Sequence, residues 1–309
     1  MNKNKQYPLE NSPLFNLSNK RKFEELIGIE KYSLNKTSKY ISYYKFTEAK
    51  KSGGERLITA PNNYLKKIQR SIYNLMSRIE RPDWLISGSK GKCYIDNAKY
   101  HQKNQSQYAL TLDIKEFYPN CKRKYVFAFL SNTMKMSNDT AGVLADILTL
   151  DSEIPTGSPA SQLLAFFAYR EMFEELHSLA LKHGCVLTVY VDDLAFSSKT
   201  PFNNNTLIND AAFILKKYGH GMKRRKKRYY SKEDSKLFTG VILDKNNQIK
   251  VPNNLRLKIK DDGKMLNNID KMPESEKDKF KKRVKGRLVA ARNIEPTIYP
   301  ELTKAVQLM

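Results

Sequence analysis

Two adjacent acids, Asp192 and Asp193, interrupt the strongest strand signal in the chain. Residues 188–196 read Thr-Val-Tyr-Val-Asp-Asp-Leu-Ala-Phe, and aspartate is disfavoured inside a strand. A tight turn that carries both acids resolves the conflict, because it converts the run into a hairpin of two short strands. The sequence therefore predicts a β-hairpin with two carboxylates at its tip. A plain exposed acidic turn remains the open alternative.

A third acid, Asp113, ends a second apolar strand that starts at about residue 109. If the two strands are neighbours in one sheet, Asp113 and Asp192 can converge on one spot. Nucleotidyl transfer needs such a spot, because two Mg²⁺ ions roughly 3.5–4 Å apart stabilise the attacking and leaving oxygens. Carboxylates are suitable ligands for Mg²⁺. We therefore predict that Asp113, Asp192 and Asp193 are catalytic and bind two Mg²⁺ ions.

The charge of the chain indicates a polyanionic partner. Its 309 residues include 55 Lys or Arg and 32 Asp or Glu, a formal net charge of +23. Nucleic acid is the first candidate for such a partner, and an anionic membrane is the second. The sequence has no apolar run long enough for a spanning helix and no secretory signal at its polar N-terminus. We expect no membrane association.

The cysteines and histidines exclude two other classes of site. Cys93, Cys121 and Cys185 are odd in number and far apart, which fits a reducing cytoplasm and no disulfide framework. Neither they nor the four histidines make a zinc-binding spacing. We expect a cytoplasmic protein.

Apolar periodicity predicts interleaved helices and strands. Helices are expected at 18–32, 64–79, 123–150, 158–182 and 209–218 and in the last fifty-odd residues. Strands or hairpins are expected at 43–61, 108–114, 186–197 and 237–251. The order is not a strict alternation of strand and helix, so the predicted class is α+β.

Several motifs in sequence order resemble those of reverse transcriptases. Tyr190-Val-Asp-Asp matches a YxDD box, and residues 113–118 resemble the acidic box that precedes it. Residues 50–61 resemble a fingers hairpin of retron and group II intron enzymes, and 154–162 resemble the box under the incoming nucleotide. Asn97-Ala-Lys-Tyr-His101 matches the NAxxH box of retron enzymes, and Phe238-Thr-Gly resembles their VTG box. Taken together, the chain resembles a retron reverse transcriptase.

This resemblance implies a right-hand polymerase fold, with fingers, a palm whose antiparallel sheet packs on helices, and a helical thumb. The boundaries implied are an N-terminal helical segment at 1–44, fingers at 45–108 and 121–150, a palm at 109–120 and 151–245, and a thumb at 246–309 that binds RNA and duplex.

The resemblance also implies a pocket for deoxynucleoside triphosphates (dNTPs). Its expected residues are Lys51, Arg56, Ile114, Tyr118, Gly157 and Lys227, with Lys226 as the alternative to Lys227. Tyr118 matches a gate against a ribose 2′-hydroxyl, and Gly157 would permit close backbone approach. Thr156 departs from the family, where glutamine is common. The simpler alternatives are a basic surface turn at Lys51 and Arg56, a plain Pro-Gly turn and a core aromatic at Tyr118.

The expected RNA contacts lie in three segments. They are Asn97 and His101, Thr239 and Gly240, and the basic residues Lys223, Arg224 and Arg225. Asn and His side chains can pair with RNA hydroxyls and phosphates. A helix-capping Asn97 with a core His101 is the open structural alternative. The basic run at 277–287 is expected to contact nucleic acid, and a solvated helix of mixed charge is its alternative.

By resemblance, the activity is that of an RNA-directed DNA polymerase. The implied template is a structured partner RNA, primed from a guanosine 2′-hydroxyl, and the implied product is a short DNA joined to RNA (msDNA). The family role is antiphage defence, with an effector protein as a separate chain. Two alternatives remain: another bacterial reverse transcriptase of intron, diversity-generating or abortive-infection type, and a non-catalytic RNA-binding scaffold with this fold.

Overall fold

The architecture was described from a computed structural model. The structure describes residues 6–29, 34, 42–49, 53–266 and 269–307, so the predicted pocket residue Lys51 lies outside the described residues. The α-helices within these ranges are α1 (Lys20–Ile27), α2 (Asn63–Met76), α3 (Tyr94–Lys103), α4 (Phe117–Asn120), α5 (Arg123–Ala128), α6 (Asn138–Leu148), α7 (Ser161–Ala168), α8 (Arg170–Lys182), α9 (Asn204–Lys217), α10 (Asn253–Leu266), α11 (Glu274–Ile294) and α12 (Pro300–Gln307).

The strands form three antiparallel sheets. Their bounds are β1 (Tyr43–Ala49), β2 (Glu55–Pro61), β3 (Tyr108–Lys115), β4 (Val186–Tyr190), β5 (Asp193–Ser198), β6 (Gly221–Met222), β7 (Arg228–Tyr230), β8 (Lys236–Phe238), β9 (Val241–Leu243) and β10 (Ile249–Lys250). β1 and β2 form a hairpin, and β10-β9-β8 form a small sheet. The central sheet has the order β4-β5-β3-β6, and β7 also pairs with β3.

The two faces of the central sheet differ because successive strand residues point to opposite sides. Leu110, Leu112 and Ile114 of β3, with Leu194 and Phe196 of β5, join the main core with residues of α5 to α9. The alternate positions of β3 and β5 include Asp113 and Asp193, which lie on the opposite face. Helices α5 to α9 therefore cover one face of the sheet, and the acids lie on the other.

A second core joins the C-terminal helices to the sheet. Phe238 and Val241 pack there with Phe280, Val284 and Leu288 of α11. Ile95 and Ala98 of α3 belong to the same core. Helix α3, which the sequence grouped with the fingers, thus packs between the central sheet and the C-terminal region.

Two elements differ from the sequence expectation because of local turns. The helix expected at 18–32 ends at Ile27, because Gly28 adopts the left-handed conformation at φ 68° and caps it. The single hairpin expected at 237–251 is a three-stranded sheet, since a second turn at Thr239 and Gly240 separates β8 from β9. The mixture of helices and antiparallel sheets confirms the α+β class.

Candidate active site

Asp113 and Asp193 face each other across two paired strands. β3 and β5 are antiparallel, and their register places Asp113 directly opposite Asp193. Side chains opposite one another in an antiparallel pair lie on the same face with Cβ atoms about 4.5–5.5 Å apart. The sheet register thus brings together two acids that are 80 positions apart in the sequence.

Asp192 occupies the two-residue turn between β4 and β5, after Val191. Val191 has a φ of 59°, a left-handed conformation that is costly for a β-branched residue. Two hydrogen bonds hold the turn in place. The Val191 N–H donates to Ser87 Oγ at 2.9 Å, and the Ile114 N–H donates to Asp192 O at 2.8 Å. The hairpin tip is therefore fixed against both β3 and the segment that contains Ser87.

Two lysines form ion pairs at the acids. Lys226 Nζ lies 2.5 Å from Asp113 Oδ2, and Lys223 Nζ lies 2.5 Å from Asp113 Oδ1 and 3.8 Å from Asp192 Oδ2. Each carboxylate oxygen of Asp113 is thus in contact with one ammonium group. Asp113 itself is 3% exposed. The hydrogen bond to Asp113 raises the pKa of Lys226, which keeps this ammonium group charged.

Asp192 and Asp193 lie where the protein disfavours a negatively charged carboxylate. Burial, and then the neighbouring Asp113, raise the pKa of Asp192. Burial, followed by Asp192 and Asp113, raises the pKa of Asp193 to about 6. Concentrated negative charge of this kind is relieved by a cation.

The donor set fits a divalent cation. Among the described residues, no three His, Cys, Asp or Glu side chains already form a metal-binding group. The three acids nevertheless offer only carboxylate oxygens, the hard ligands that Mg²⁺ prefers. The ammonium groups of Lys223 and Lys226 contribute the compensating positive charge.

A cavity of about 590 Å³ lies between the β1–β2 hairpin and the acids. Arg56 and Ile58 of β2 line one side, and Tyr118 and Asp192 line the other. Arg56 is exposed, so its guanidinium is available to an anionic ligand, whereas Tyr118 is half-buried. The structure thus brings the predicted pocket residues Arg56 and Tyr118 to the same cavity as the acids.

Residues 49–243 match the family model described as reverse transcriptase (RNA-dependent DNA polymerase). This chain belongs to the reverse transcriptase family. The match begins in β1 and ends at the last residue of β9, so it contains Asp113, Asp192 and Asp193.

Curated relatives confirm the resemblance to retron reverse transcriptases. The chain is 31% identical over 199 residues to the retron Se72 reverse transcriptase of Salmonella heidelberg, across 61% of this chain and 51% of that protein. It is 24% identical over 275 residues to the retron Ec73 reverse transcriptase of Escherichia coli, across 84% of this chain and 85% of that protein. The first match therefore spans only about half of its relative's length.

The fold agrees with a solved polymerase structure. A telomerase from Candida albicans, solved with a fragment of telomeric RNA, superposes with a TM-score of 0.50 at 12% identity, over 76% of this chain and 49% of that one. Together with the family match, this confirms the predicted right-hand polymerase fold. No described helix has both the length and the hydropathy needed to cross a membrane.

In this reverse transcriptase, Gly157 approaches another part of the protein rather than open pocket space. A Cβ added there would lie 2.6 Å from Thr59 O and 2.9 Å from Ala60 Cα. Thr156 and Thr59 also bond reciprocally, each side-chain oxygen accepting the other residue's N–H at 3.1 Å. A glycine is therefore required here by close packing on β2, which fixes the hairpin that carries Arg56. The approach of the Gly157 backbone to a nucleotide stays a prediction.

Two further pocket assignments change. Ile114 is fully buried in the main core and its N–H is bonded to Asp192 O, so its side chain does not line the cavity, contrary to the sequence expectation. Of the two lysines proposed for the nucleotide, Lys226 is the one that contacts Asp113. The nucleotide contact itself stays a prediction. The sequence could not choose between them, because the choice depends on how the short 3-10 helix Arg224–Lys226 is oriented.

The expected RNA-contact residues separate into two groups. Thr239 and Gly240 line a smaller cavity of about 290 Å³ together with Asp113, Asp193 and Arg225. Arg224 is exposed beside them. The basic segment and the Thr239–Gly240 turn thus border the acids.

Asn97 and His101 are not on that surface. Asn97 is 1% exposed and His101 is 0% exposed. The Asn97 side chain donates to Thr239 Oγ1 and accepts from Thr188 Oγ1, and both ring nitrogens of His101 are bonded to hydroxyls. Neither side chain is exposed for direct contact with RNA in this structure. His101 is a core residue, as the structural alternative has it, whereas Asn97 lies within α3 rather than at its N-terminus.

Sequence reasoning missed two residues of the site and gave a third, Lys223, another role. Ser87 accepts the N–H of the strained turn residue, Thr59 bonds Thr156, and Lys223 is an ion-pair partner of Asp113 rather than only a surface cation. A lone serine or threonine carries no signal of such a contact. The position of Lys223 in a dense basic run hid its distinct role.

Proposed function

We propose that this chain is an RNA-directed DNA polymerase of the retron type. The observation that carries the proposal is the register of β3 and β5, which sets Asp113 opposite Asp193 beside the Asp192 turn, in a chain of the reverse transcriptase family. The retron assignment rests on the resemblance to the Se72 and Ec73 reverse transcriptases.

The proposed reaction extends a nucleic-acid primer by one nucleotide at a time. A primer hydroxyl oxygen attacks the α-phosphorus of a dNTP, a new P–O bond forms, and the bond to the β-phosphate breaks to release pyrophosphate. When bound to Asp113, Asp192 and Asp193, two Mg²⁺ ions would supply charge stabilisation of the attacking and leaving oxygens. Oxygen ligands of this kind favour Mg²⁺.

The chain's own residues bind and orient the substrates. The guanidinium of Arg56 is placed to pair with the triphosphate, because a planar fork of donors matches phosphate oxygens. Tyr118 lies across the same cavity and would meet the sugar of the nucleotide, which supports selection of dNTPs over ribonucleotides. Lys51 remains a proposed triphosphate contact by resemblance alone.

The proposed partner is a structured RNA. Arg225 and the turn of Thr239 and Gly240 are proposed RNA contacts, since they border the cavity that reaches Asp113. The exposed Arg224, which precedes Arg225, is proposed with them. The region from α10 onward is the proposed thumb, and its basic α11 would grip the duplex. The lobe boundaries given by the sequence are retained as a proposal.

The biological role follows from the retron resemblance. We propose that the template is a partner RNA primed from a guanosine 2′-hydroxyl, that the product is a short DNA joined to RNA, and that the system acts in antiphage defence with a separate effector protein. The three cysteines are free, which supports a cytoplasmic location.

Primer extension tests the activity. Purified protein would be incubated with a DNA-primed RNA template, dNTPs and Mg²⁺, beside the isosteric Asp113→Asn variant. The proposal requires full-length DNA from the wild type and none from the variant. Sequencing of co-purified nucleic acid then tests the retron assignment: RNA-linked DNA supports it, and free untemplated DNA indicates an abortive-infection enzyme.

A further inference from the structure

Six polar side chains form a continuous hydrogen-bonded chain beneath the β4–β5 hairpin. The successive separations are 2.6 Å for Ser106 to Ser197, 2.6 Å for Ser197 to His101, 2.8 Å for His101 to Thr188, 2.5 Å for Thr188 to Asn97 and 2.7 Å for Asn97 to Thr239. The five members from Ser106 to Asn97 are all buried. This series of hydrogen bonds leads from the palm interior to the Thr239–Gly240 turn beside the acids.

With the Asn97 amide oriented as in the structure, one set of directions satisfies every hydrogen bond. Asn97 Nδ2 donates to Thr239 Oγ1, which leaves Asn97 Oδ1 to accept from the Thr188 hydroxyl. Thr188 Oγ1 must then accept from His101 Nε2. Burial lowers the pKa of His101 to about 3, so its ring is neutral and Nδ1 accepts from Ser197. Ser197 accepts from Ser106 in turn, and each group donates once.

His101 holds both strands of the hairpin. Thr188 belongs to β4 and lies four residues before Asp192, and Ser197 belongs to β5 and lies four residues after Asp193. The His101 ring also stacks on Phe238, with ring centroids 4.1 Å apart. One imidazole thus links the two strands that carry the acids to the residue before Thr239.

The series of hydrogen bonds ends at a strained turn. Thr239 has a φ of 44°, which is rare for a β-branched residue, and Gly240 follows at 85°. Strain of this kind persists only where the surroundings hold it. The hydrogen bond from Asn97 and the stacking of Phe238 are the contacts that hold this turn.

We propose that Asn97, His101 and Thr239 are positioning residues, which set the Thr239–Gly240 turn at a fixed distance from the hairpin that carries Asp192 and Asp193. A nucleic-acid strand lying against the turn then meets the acids in the orientation that nucleotide addition requires. The inference rests on the proposed polymerase function and assigns a new role to the Asn97–His101 segment, because buried residues act on the substrate only through others.

The test removes the hydroxyl of Thr239, at the end of the hydrogen-bonded series. Thr239→Val keeps the shape and deletes the acceptor for Asn97, while Thr239→Ser keeps the hydroxyl. Thr149→Val is the matched control, because Thr149 is a buried threonine whose hydroxyl bonds Ala145 O in α6, away from the acids. The full-length protein is assayed for thermal stability, primer–template affinity, KM for dNTP and kcat.

The expected result is a selective loss of kcat. Thr239→Val should lower kcat roughly 10- to 100-fold while primer–template affinity changes by less than about threefold, since misplacement of substrate mainly costs rate. Thr239→Ser should recover most of the rate. Thr149→Val should lose stability to a similar degree and keep the wild-type kcat.

A double-mutant cycle adds a second readout. The effects of Thr188→Val and Thr239→Val on kcat should be non-additive, because each substitution removes a hydrogen bond of Asn97. If Thr239→Val does not fold, Thr188→Val and Thr239→Ser provide the comparison.

The outcomes separate the two proposals. Wild-type kcat in folded Thr239→Val, or additive effects in the cycle, would overturn the positioning role while leaving the polymerase proposal intact. A wild-type protein that makes no DNA would remove both together.

Discussion

Asp113 in β3 lies opposite Asp193 in β5, and the ammonium groups of Lys223 and Lys226 contact Asp113 from the basic run that follows α9. Asp113 is therefore already paired with two side-chain cations in the protein alone. A metal ion entering the site must compete with these ammonium groups, since both bind the same carboxylate oxygens.

This competition predicts the effect of removing a lysine. Lys226→Met should raise the affinity for Mn²⁺ or Mg²⁺, measured without nucleotide, by about tenfold, because a contact charge that opposes metal binding is lost. Isothermal titration calorimetry gives the affinity directly. Lys232→Met is the control, because it removes the same charge at an exposed lysine. Equal affinities in the two variants would contradict the competition.

The position of Tyr118 predicts a change in sugar selectivity. Tyr118→Ala opens the cavity shared with Arg56 and should raise ribonucleotide incorporation relative to dNTP incorporation by about tenfold or more. Tyr118→Phe keeps the ring and should retain the wild-type preference. The measurement is the ratio of kcat/KM for matched nucleotides. An unchanged ratio in Tyr118→Ala would assign the residue to the core.

Gly157→Ala should disturb the hairpin that carries Arg56. The added Cβ would lie 2.6 Å from Thr59 O, so β2 must shift, at a cost of about 1–3 kcal/mol in unfolding free energy. The KM for dNTP should rise as Arg56 moves. In contrast, Gly142 in α6 has no atom within 4 Å of an added Cβ, and Gly142→Ala should stabilise by about 0.5–1 kcal/mol. Urea unfolding measures the unfolding free energy of both variants. Similar changes for Gly157→Ala and Gly142→Ala would contradict the packing argument.

The buried His101 predicts a dependence of stability on pH. Its pKa is about 3 in the folded protein, below the 6.5 of the unfolded chain. The unfolded state therefore binds the proton first, so the stabilisation is complete above pH 6.5 and is lost as the pH falls from there toward 3. Between about pH 7 and about pH 5 this loss amounts to about 2 kcal/mol.

The comparison with His101→Gln isolates this contribution. The variant should be less stable at neutral pH but should lose about 2 kcal/mol less than the wild type between the two pH values. Because His220 is also buried with a lowered pKa of about 4, only the difference between the proteins is informative. Parallel pH profiles of the two proteins would exclude a neutral, buried His101.

Much of the active site was predictable because its signals are local. The Asp192-Asp193 pair within an apolar run dictated a hairpin, and the strand before Asp113 was evident from its alternation. The order of the motifs predicted the family and the right-hand fold, and the family match and the superposed structure agree with both.

The remaining features depend on contacts between distant segments. Burial of His101 requires Thr188 and Ser197, which lie 87 and 96 positions away. Gly157 is explained by Thr59, and the choice of Lys226 over Lys227 by the direction of one short helical turn. A motif shared with a family indicates that its residues matter, but it does not tell whether they contact the ligand or the protein interior.

The most direct test of the account is DNA synthesis by the Asp192→Asn, Asp193→Asn double variant on a primed RNA template with Mg²⁺. Both substitutions keep the size of the side chains and remove the charges that would bind metal. The account predicts complete loss of extension with primer–template affinity retained. Wild-type extension by this variant would contradict the assignment of the two acids to catalysis.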